Sequence, residues 1–448
     1  MRSQTLSGTL RWMTVCPTCC AIVTAFGCSA HVAEWPQWGG PQRNFTMETS
    51  GLAEVWPKDG PPKLWHRELG DGYSSILVDD GILYTMYRVD EDEFTVALDA
   101  DTGETIWERK NPSPVTPQMQ QYGPGPHSTP LIVDGRLYTV GTNVVMHCYD
   151  KRTGEVLWRR DLVAEFGAPV PGYGYGCSPI AYKDTVILPV DRKREEPSAE
   201  NSGDEEGEGE HKADDKPKEK VEKQTLIAFD QKTGEVIWKN QDVEISYSSP
   251  ILTEMDGEEH LVLLASKEIL GVDPENGELL WRHVTEPEGA NLATPVWDNE
   301  NLLFCSSAYD AGSRVFKLAK KGTKTVPEQV WYNRKMRVHH ANVIRIGDYI
   351  YGSSGDFGPA FFMGVNIDTG EIAWRERGFK KATCVYGDGK LIILDEDGQL
   401  ALATVTPEGM KVHSQCKLTE RLSWTTPTLV GKTLYVRDRK HIMALDVG

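Results

Sequence analysis

The chain has 448 residues, of which 39% are hydrophobic, with 42 glycines, 26 prolines and a formal net charge of −18. Strand formers and turn formers dominate and no long stretch shows helical periodicity, which indicates one large β-rich domain and argues against a helical bundle. The acidic charge argues against nucleic acid as a partner, because binding to phosphates needs a basic face.

The N-terminus carries the pattern of a targeting segment. Arg2 and Arg11 precede an apolar stretch at residues 12–27, and small residues follow at 28–30. This pattern predicts a signal peptide over residues 1–30 and export to the periplasm or cell envelope, with no transmembrane span in the mature chain. Residues 25–28 also resemble a lipoprotein cleavage box, but Ala25 and Phe26 fit it poorly. Simple cleavage is therefore favoured over a lipid anchor at Cys28.

A short apolar strand, a tight turn and a tryptophan recur seven times along the rest of the chain. Aspartates at equivalent positions lie 51, 80 and 43 residues apart, and one insertion explains the longest interval. Self-similarity at about 40–50 residues per unit is typical of a β-propeller. The residues that carry the repeat are Asp99, Gly103, Trp107, Asp150, Gly154, Trp158, Asp230, Gly234, Trp238, Asp273, Gly277, Trp281, Trp331, Gly370 and Trp374.

Each residue of this unit has a structural interpretation. An aspartate at the end of a strand can accept hydrogen bonds from the turn, and the glycine supplies a positive φ. A tryptophan that recurs at one position is expected to pack between neighbouring blades rather than to bind a ligand.

The two ends of the chain complete the count of blades. Residues 444–446 open an eighth unit that has no tryptophan, whereas Trp65 lies on a strand with no preceding Ala-Leu-Asp. We therefore expect an all-β, eight-bladed propeller of four-stranded antiparallel blades over residues 31–448, closed by the N-terminal strand. A seven-bladed ring is the alternative, because the units near Leu318 and Leu402 are weak.

One segment does not fit the propeller pattern. Residues 192–223 contain 12 acidic and 8 basic residues and almost no apolar ones. This composition predicts a disordered acidic insertion over residues 191–223, within the third blade. A solvated loop is favoured over a specific site for a cation or a protein.

The repeated Ala-x-Asp-x-x-Thr-Gly-x-x-x-Trp unit resembles the repeat of pyrroloquinoline-quinone-type (PQQ-like) propellers. These include the quinoprotein alcohol dehydrogenases and the outer-membrane protein assembly factor B lipoproteins. The segment at residues 35–44 also resembles the start of exported members of that superfamily.

The resemblance implies features of the dehydrogenases that this chain does not match. They place a disulfide of two adjacent cysteines over the quinone, whereas the adjacent pair here, Cys19 and Cys20, lies in the predicted signal peptide. They also hold Ca²⁺ with a Glu, an Asn and an Asp beside a catalytic Asp, and no equivalent cluster can be placed. We therefore predict no cofactor; PQQ and calcium enter only under the alternative of a quinoprotein.

The repeats also indicate where a binding site would lie. Each innermost strand is expected to begin with a short signature whose first residue varies, and these first residues are expected to converge at one mouth of the central channel. The candidates are Tyr73, His127, Tyr247, His340, Lys381 and Trp424. The competing interpretation is that these side chains plug the channel together with bound water.

Two long loops flank this mouth, at residues 110–126 and 160–175. They contribute Tyr122, Tyr173 and Tyr175 as candidate binding residues, because long loops on a rigid scaffold are where binding tends to occur. Tyrosines among glycines suit stacking on a peptide or sugar, although such a loop can also pack on itself.

No motif of a hydrolase or zinc enzyme occurs, and the five cysteines beyond residue 30 have no metal-ligand spacing. We predict no catalytic and no metal-binding residues. The sequence favours an exported, non-enzymatic scaffold for protein or peptide partners in the cell envelope. The alternative is a PQQ- and calcium-dependent quinoprotein dehydrogenase acting on alcohols or sugars.

Overall fold

A computed structural model describes residues 34–191, 224–297, 300–356 and 358–448. The predicted signal peptide, Cys28, and all but the first residue of the predicted acidic insertion lie outside the described residues. Within the described residues, no helix is long and apolar enough to cross a membrane.

The described residues form 32 strands in eight four-stranded antiparallel sheets. Strand β1 (Lys63–Glu68) comes first in the chain. The first four blades comprise β2 (Leu77–Asp79), β3 (Ile82–Val89), β4 (Asp92–Asp99), β5 (Thr105–Pro112); β6 (Leu131–Val133), β7 (Arg136–Val140), β8 (Val145–Asp150), β9 (Val156–Asp161); β10 (Ile180–Tyr182), β11 (Thr185–Pro189), β12 (Leu226–Asp230), β13 (Val236–Asn240); β14 (Ile251–Met255), β15 (Glu258–Leu264), β16 (Glu268–Val272) and β17 (Leu279–Val284).

The next three blades follow the same order. They comprise β18 (Val296–Trp297), β19 (Leu302–Ser307), β20 (Gly312–Lys321), β21 (Lys324–Asn333); β22 (Val343–Ile346), β23 (Tyr349–Ser354), β24 (Phe361–Asn366), β25 (Ile372–Arg377); β26 (Thr383–Gly387), β27 (Lys390–Leu394), β28 (Gln399–Thr406) and β29 (Gly409–Lys417).

The eighth blade joins the two ends of the chain. It contains β30 (Thr428–Val430), β31 (Thr433–Arg437) and β32 (His441–Asp446), with β1 as its outer strand. Trp65 pairs with Ala444, and Glu68 pairs with His441. The predicted eight-bladed ring, closed by the N-terminal strand, is confirmed, and the seven-bladed alternative is wrong.

The repeated tryptophans lie between blades. The indole of Trp107 lies against Gly154 in the turn of the next blade, so closely that a Cβ at Gly154 would come within 2.6 Å of the ring. Its Nε1 donates a hydrogen bond of 2.9 Å to the carbonyl oxygen of Lys151 in the same turn. Four further pairs show the same close approach of indole and glycine: Trp65 and Gly103, Trp158 and Gly234, Trp238 and Gly277, and Trp331 and Gly370.

The turn that receives each tryptophan is built by its own side chains. Asp150 Oδ1 accepts hydrogen bonds from the backbone nitrogens of Arg152 and Thr153 and from the Thr153 hydroxyl. Hydrogen bonds from Thr153 are the main cause that lowers the pKa of the Asp150 carboxyl. Gly154 closes the turn with a φ of 68°. The aspartate thus fixes the loop on which the preceding blade packs.

Three of the contacts between blades deviate from this rule. Between the sixth and seventh blades, Trp374 lies against Gly364 of its own blade and donates from Nε1 to the carbonyl oxygen of Thr406, at 2.8 Å. The fifth blade has a short hairpin turn at residues 322–323 in place of the Asp-x-x-Thr-Gly turn. Trp281 of the fourth blade instead packs against Gly271 of its own blade and donates to Nδ1 of His260, at 3.0 Å. In the seventh blade Val412 replaces the tryptophan and is 38% exposed.

A second set of contacts between blades lies near the axis. In the short signature that precedes the innermost strands of the second to fourth blades, the residue two positions after the variable first residue bears a hydroxyl, as Thr129 does after His127. This hydroxyl accepts a hydrogen bond from a backbone nitrogen of the preceding blade. These bonds run from Ser75 N to Thr129 Oγ1 (3.1 Å), from Thr129 N to Ser178 Oγ (3.0 Å) and from Ser178 N to Ser249 Oγ (2.9 Å). The small polar residues beneath the mouth therefore join the blades as well as filling the narrow axis.

The segment at residues 35–47 crosses the inner strands at the end of the channel opposite the mouth. It reaches the first, second, third, fifth and seventh blades. Its hydrogen bonds are Trp35 N to Val78 O (2.8 Å), Ile132 N to Pro36 O (2.8 Å), Arg43 Nη1 to Pro179 O (3.1 Å), Trp38 Nε1 to Thr294 Oγ1 (2.8 Å) and Tyr386 N to Phe45 O (3.0 Å). The channel is therefore closed at this end.

We predict that replacing Trp107, which is 7% exposed, by alanine lowers the free energy of unfolding by about 3–5 kcal/mol, since it leaves a cavity between two blades. Urea and thermal unfolding measure the change. The matched control is Ile106→Ala on the same strand, because Ile106 is 47% exposed and its truncation should cost no more than about 0.5 kcal/mol.

Gly154→Ala supplies a second check of the same contact. The new methyl group would clash with the Trp107 indole and strain a positive φ. The double variant should therefore lose less than the sum of the two single losses, because removing the indole relieves the clash. Additive losses, or equal losses from Trp107→Ala and Ile106→Ala, would contradict this account.

Candidate functional site

The mouth of the channel opens into a central cavity of about 270 Å³. Five of the six predicted mouth residues line it: Tyr73, His127, Tyr247, His340 and Trp424. They come from the first, second, fourth, sixth and eighth blades, at the residue that precedes each innermost strand by three or four positions. The structure brings these side chains together; that they bind a ligand stays a prediction.

Aromatic rings stack along one side of this cavity. Tyr73 lies between His127 and Trp424, with ring centroids 5.4 and 5.3 Å away. Trp424 in turn stacks on His340 at 4.3 Å. Neighbouring rings therefore lie on both sides of Tyr73 and of Trp424, so that the edges of these two rings border the cavity.

Lys381, the sixth predicted residue, does not line the cavity. It has a φ of 43°, and its Nζ lies 5.7 Å from the centre of the Trp424 ring and 3.5 Å from Oε2 of Glu396. Glu396 Oε2 also accepts a hydrogen bond of 2.9 Å from Trp424 Nε1. Lys381 thus belongs to a charged group that holds Trp424 in place, rather than to the wall itself.

Two loops form the rim of the mouth, and each contains a short helix. The first loop contains α1 (Pro117–Gln120), which buries Met119 against the cavity, and the second contains α2 (Leu162–Phe166). Tyr122 of the first loop and Tyr173 of the second pack together with ring centroids 5.8 Å apart, and both line the cavity.

Buried polar contacts hold the first loop on its blade. Arg88 is only 2% exposed and donates from Nε to the carbonyl oxygen of Pro124, at 2.7 Å. The same guanidinium pairs with Glu93 at 2.7 Å and donates to the Thr142 hydroxyl at 2.9 Å. Because Tyr73 also donates its hydroxyl proton to the carbonyl oxygen of Tyr122, the loop is fixed to the wall as well.

Tyr175 does not line the central cavity, although it lines a neighbouring one. Its side chain is 1% exposed, lies in the core between the second and third blades, and donates to the carbonyl oxygen of Pro189 at 2.7 Å. Its backbone nitrogen donates to Thr142 at 2.9 Å. Tyr175 therefore anchors the loop that carries Tyr173, and that it binds a ligand stays a prediction.

Sequence reasoning missed other residues of the cavity. Trp38 comes from the segment that closes the channel, and Tyr309 lies in the turn between β19 and β20. The hydroxyl of Tyr309 lies 3.0 Å from Nε2 of His339, which also lines the cavity. The Trp-Pro-Gln-Trp sequence at residues 35–38 marks Trp38 as unusual. Because Trp38 lies outside the repeat, however, the repeat does not predict its position at the axis.

The lining of the cavity carries no formal charge at neutral pH. None of the described residues that line it is an Asp, Glu, Lys or Arg. Burial lowers the pKa of His127 and of His339 to about 4, and burial lowers the pKa of His340 well below its ordinary value. All three imidazoles are therefore neutral at pH 7.

This lining does not fit PQQ and calcium. Ca²⁺ prefers six to eight oxygen ligands, mainly carboxylates and carbonyls, and the lining supplies no carboxylate. The quinone is itself a tricarboxylic acid, and no guanidinium or ammonium group lines the cavity to pair with it.

Carboxylates occur near the channel, but in other surroundings. Asp191 and Glu244 line a second cavity of about 300 Å³, which shares Tyr247 with the central one. Elsewhere in the described chain, Glu34, Asp79 and Asp80 lie close enough to hold a metal ion. Lys151 pairs with both aspartates and Arg152 pairs with Asp80 at 2.9 Å, so this cluster is explained as a set of ion pairs.

Solved structures similar to this one share its fold at low sequence identity. BamB from Moraxella catarrhalis is 15% identical with a TM-score of 0.56, over 86% of this chain and 97% of that one. Quinohemoprotein alcohol dehydrogenase from Comamonas testosteroni is 12% identical with a TM-score of 0.60, over 93% and 81%. The computationally designed Ika8 protein is also 12% identical, with a TM-score of 0.55 over 85% and 98%.

Such identities establish the fold and leave the function open. A search of curated proteins finds no match to this sequence. The profile of the family described as outer membrane protein assembly factor BamB matches residues 91–376, more than half of the chain. The chain therefore belongs to the outer membrane protein assembly factor BamB family of PQQ-like propellers.

Proposed function

We propose that this protein is an exported, non-enzymatic propeller that binds a protein or peptide partner in the cell envelope through the mouth of its channel. The family supports a role in the envelope, and the pattern of residues 1–30 supports export. The observation that carries the proposal is the rim of the mouth, where Tyr122, Tyr173 and Tyr309 are 43%, 37% and 49% exposed.

Exposed tyrosines suit this task for a physical reason. A tyrosine offers a large contact area and a hydrogen-bonding tip while losing little conformational entropy when it is bound. The contacts of Arg88 with Pro124 and of Tyr175 with Pro189 already fix the two loops, so that a partner meets a preformed surface.

We propose further that binding requires neither PQQ nor calcium. The uncharged lining of the central cavity supports this, because it offers neither partners for the carboxylates of the quinone nor ligands for the metal. A quinoprotein dehydrogenase remains the class of enzyme against which the proposal is tested.

Photo-cross-linking in the cells that express the protein tests the binding surface. We expect benzoyl-phenylalanine at position 122 or 173 to give a discrete adduct with one partner, since both side chains are partly exposed at the mouth. The control is the same substitution of Ile237 on β13, which is 55% exposed at the outer edge of the third blade. No adduct at the mouth, or the same adducts at Ile237, would contradict the proposal.

Calorimetry with PQQ, with and without Ca²⁺, tests the absence of a cofactor. We expect no heat of binding and no reduction of a dye with simple alcohols or sugars. A quinoprotein alcohol dehydrogenase, measured in parallel, shows that the assay detects activity. Calcium-dependent binding together with dye reduction would replace the scaffold by an enzyme.

A further inference from the structure

We propose that the central cavity binds one uncharged aromatic group with a hydrogen-bonding tip, of the kind found in a tyrosine side chain or a free phenol. This inference rests on the proposed function and names the chemical group that the mouth recognises. Four properties of the cavity support it: its size, its lack of charge, its ring edges and its unpaired polar atoms.

The size of the cavity matches a single side chain. Pockets for drug-sized ligands and cofactors commonly measure about 300–1,000 Å³. The central cavity, at about 270 Å³, lies below that range. It therefore suits one aromatic group that projects from a larger partner, or a small free molecule.

The absence of charge selects an uncharged group. A buried charge is costly unless an opposite charge or several hydrogen bonds compensate for it. The described lining has no carboxylate, ammonium or guanidinium group, and its three histidines are neutral at pH 7. A cationic or an anionic ligand would thus lose its hydration without gaining a partner.

The stacked wall favours an aromatic ligand over an ammonium ion. Cations bind the faces of aromatic rings, whereas the faces of Tyr73 and Trp424 are covered by His127, His340 and each other. The edges that remain carry partial positive charge. These edges attract the face of another aromatic ring in an edge-to-face contact.

Two lining side chains supply partners for a polar tip. His127 Nε2 and Thr426 Oγ1 are buried, and neither has a hydrogen-bond partner among the described residues. Thr426 is 3% exposed. Buried polar atoms in proteins are almost always paired, and both of these can accept a hydrogen bond from the O–H of a phenol or the N–H of an indole.

The test uses calorimetry on the protein with five small probes. N-acetyl-tyrosinamide and N-acetyl-phenylalaninamide differ only in the hydroxyl, p-cresol is the phenol without a peptide, and tyramine and 4-hydroxyphenylacetate add a positive or a negative charge. We expect the tyrosine amide to bind about 3- to 10-fold more tightly than the phenylalanine amide, the value of one hydrogen bond. The charged phenols should bind more weakly than p-cresol.

Substitutions locate the hydrogen bond. Thr426→Val and His127→Phe should each reduce the preference for tyrosine over phenylalanine, and the double variant should abolish it, while the affinity for phenylalanine stays unchanged. The matched control is Thr253→Val, because Thr253 is also buried with an unpartnered hydroxyl among the described residues but lies outside the cavity. His127→Phe keeps a ring beside Tyr73 while removing the nitrogen, and melting curves verify that each variant is folded.

The probes also distinguish the two sources of the group. Tighter binding of the tyrosine amide than of p-cresol assigns the group to a peptide, whereas exclusion of the amide with binding of p-cresol assigns it to a free small molecule. Equal binding of the tyrosine and phenylalanine amides, tighter binding of a charged phenol, or no binding at millimolar concentration would overturn the inference. If cross-links form at Tyr122 while no phenol binds, the inference fails and the proposed function stands.

Discussion

The contact between a tryptophan of one blade and a turn glycine of the next is the constraint on which this propeller depends. It joins neighbouring blades, and it requires both partners: an indole such as Trp107 and a residue without a side chain such as Gly154. The eighth blade satisfies the rule only because Trp65 arrives from the other end of the chain. The strand that closes the ring thus also supplies the tryptophan that joins the eighth blade to the first.

In this ring, one part of the sequence builds the blades and another part shapes the cavity at the axis. The outer parts of the blades repeat one arrangement, whereas the residues at the axis differ from blade to blade above a recurring layer of small hydroxyl residues that form hydrogen bonds between neighbouring blades. Large rings such as Tyr73 and Trp424 pack against each other at the axis, with ring centroids 5.3 Å apart. The cavity is the space that these unequal side chains leave.

The repeat made the blade count, the ring closure and the positions of the inner signature predictable from sequence. It specifies the register along each strand, and the side chains at equivalent positions converge as a result. The repeat does not specify where a side chain points once the backbone leaves the strand. Lys381 has a positive φ and lies behind Trp424, and Tyr175 enters the core beneath its loop. Trp38 lies outside any repeat, so only the path of its segment in three dimensions reveals its place at the axis.

The segment at residues 35–47 has a kinetic consequence. Because it spans the far end of the channel, the described part of the propeller forms a well that opens at the mouth rather than a pore. Solvent and solute must exchange through the rim where Tyr122 and Tyr173 lie. A macromolecule seated on that rim would therefore set the residence time of whatever occupies the well, without touching it.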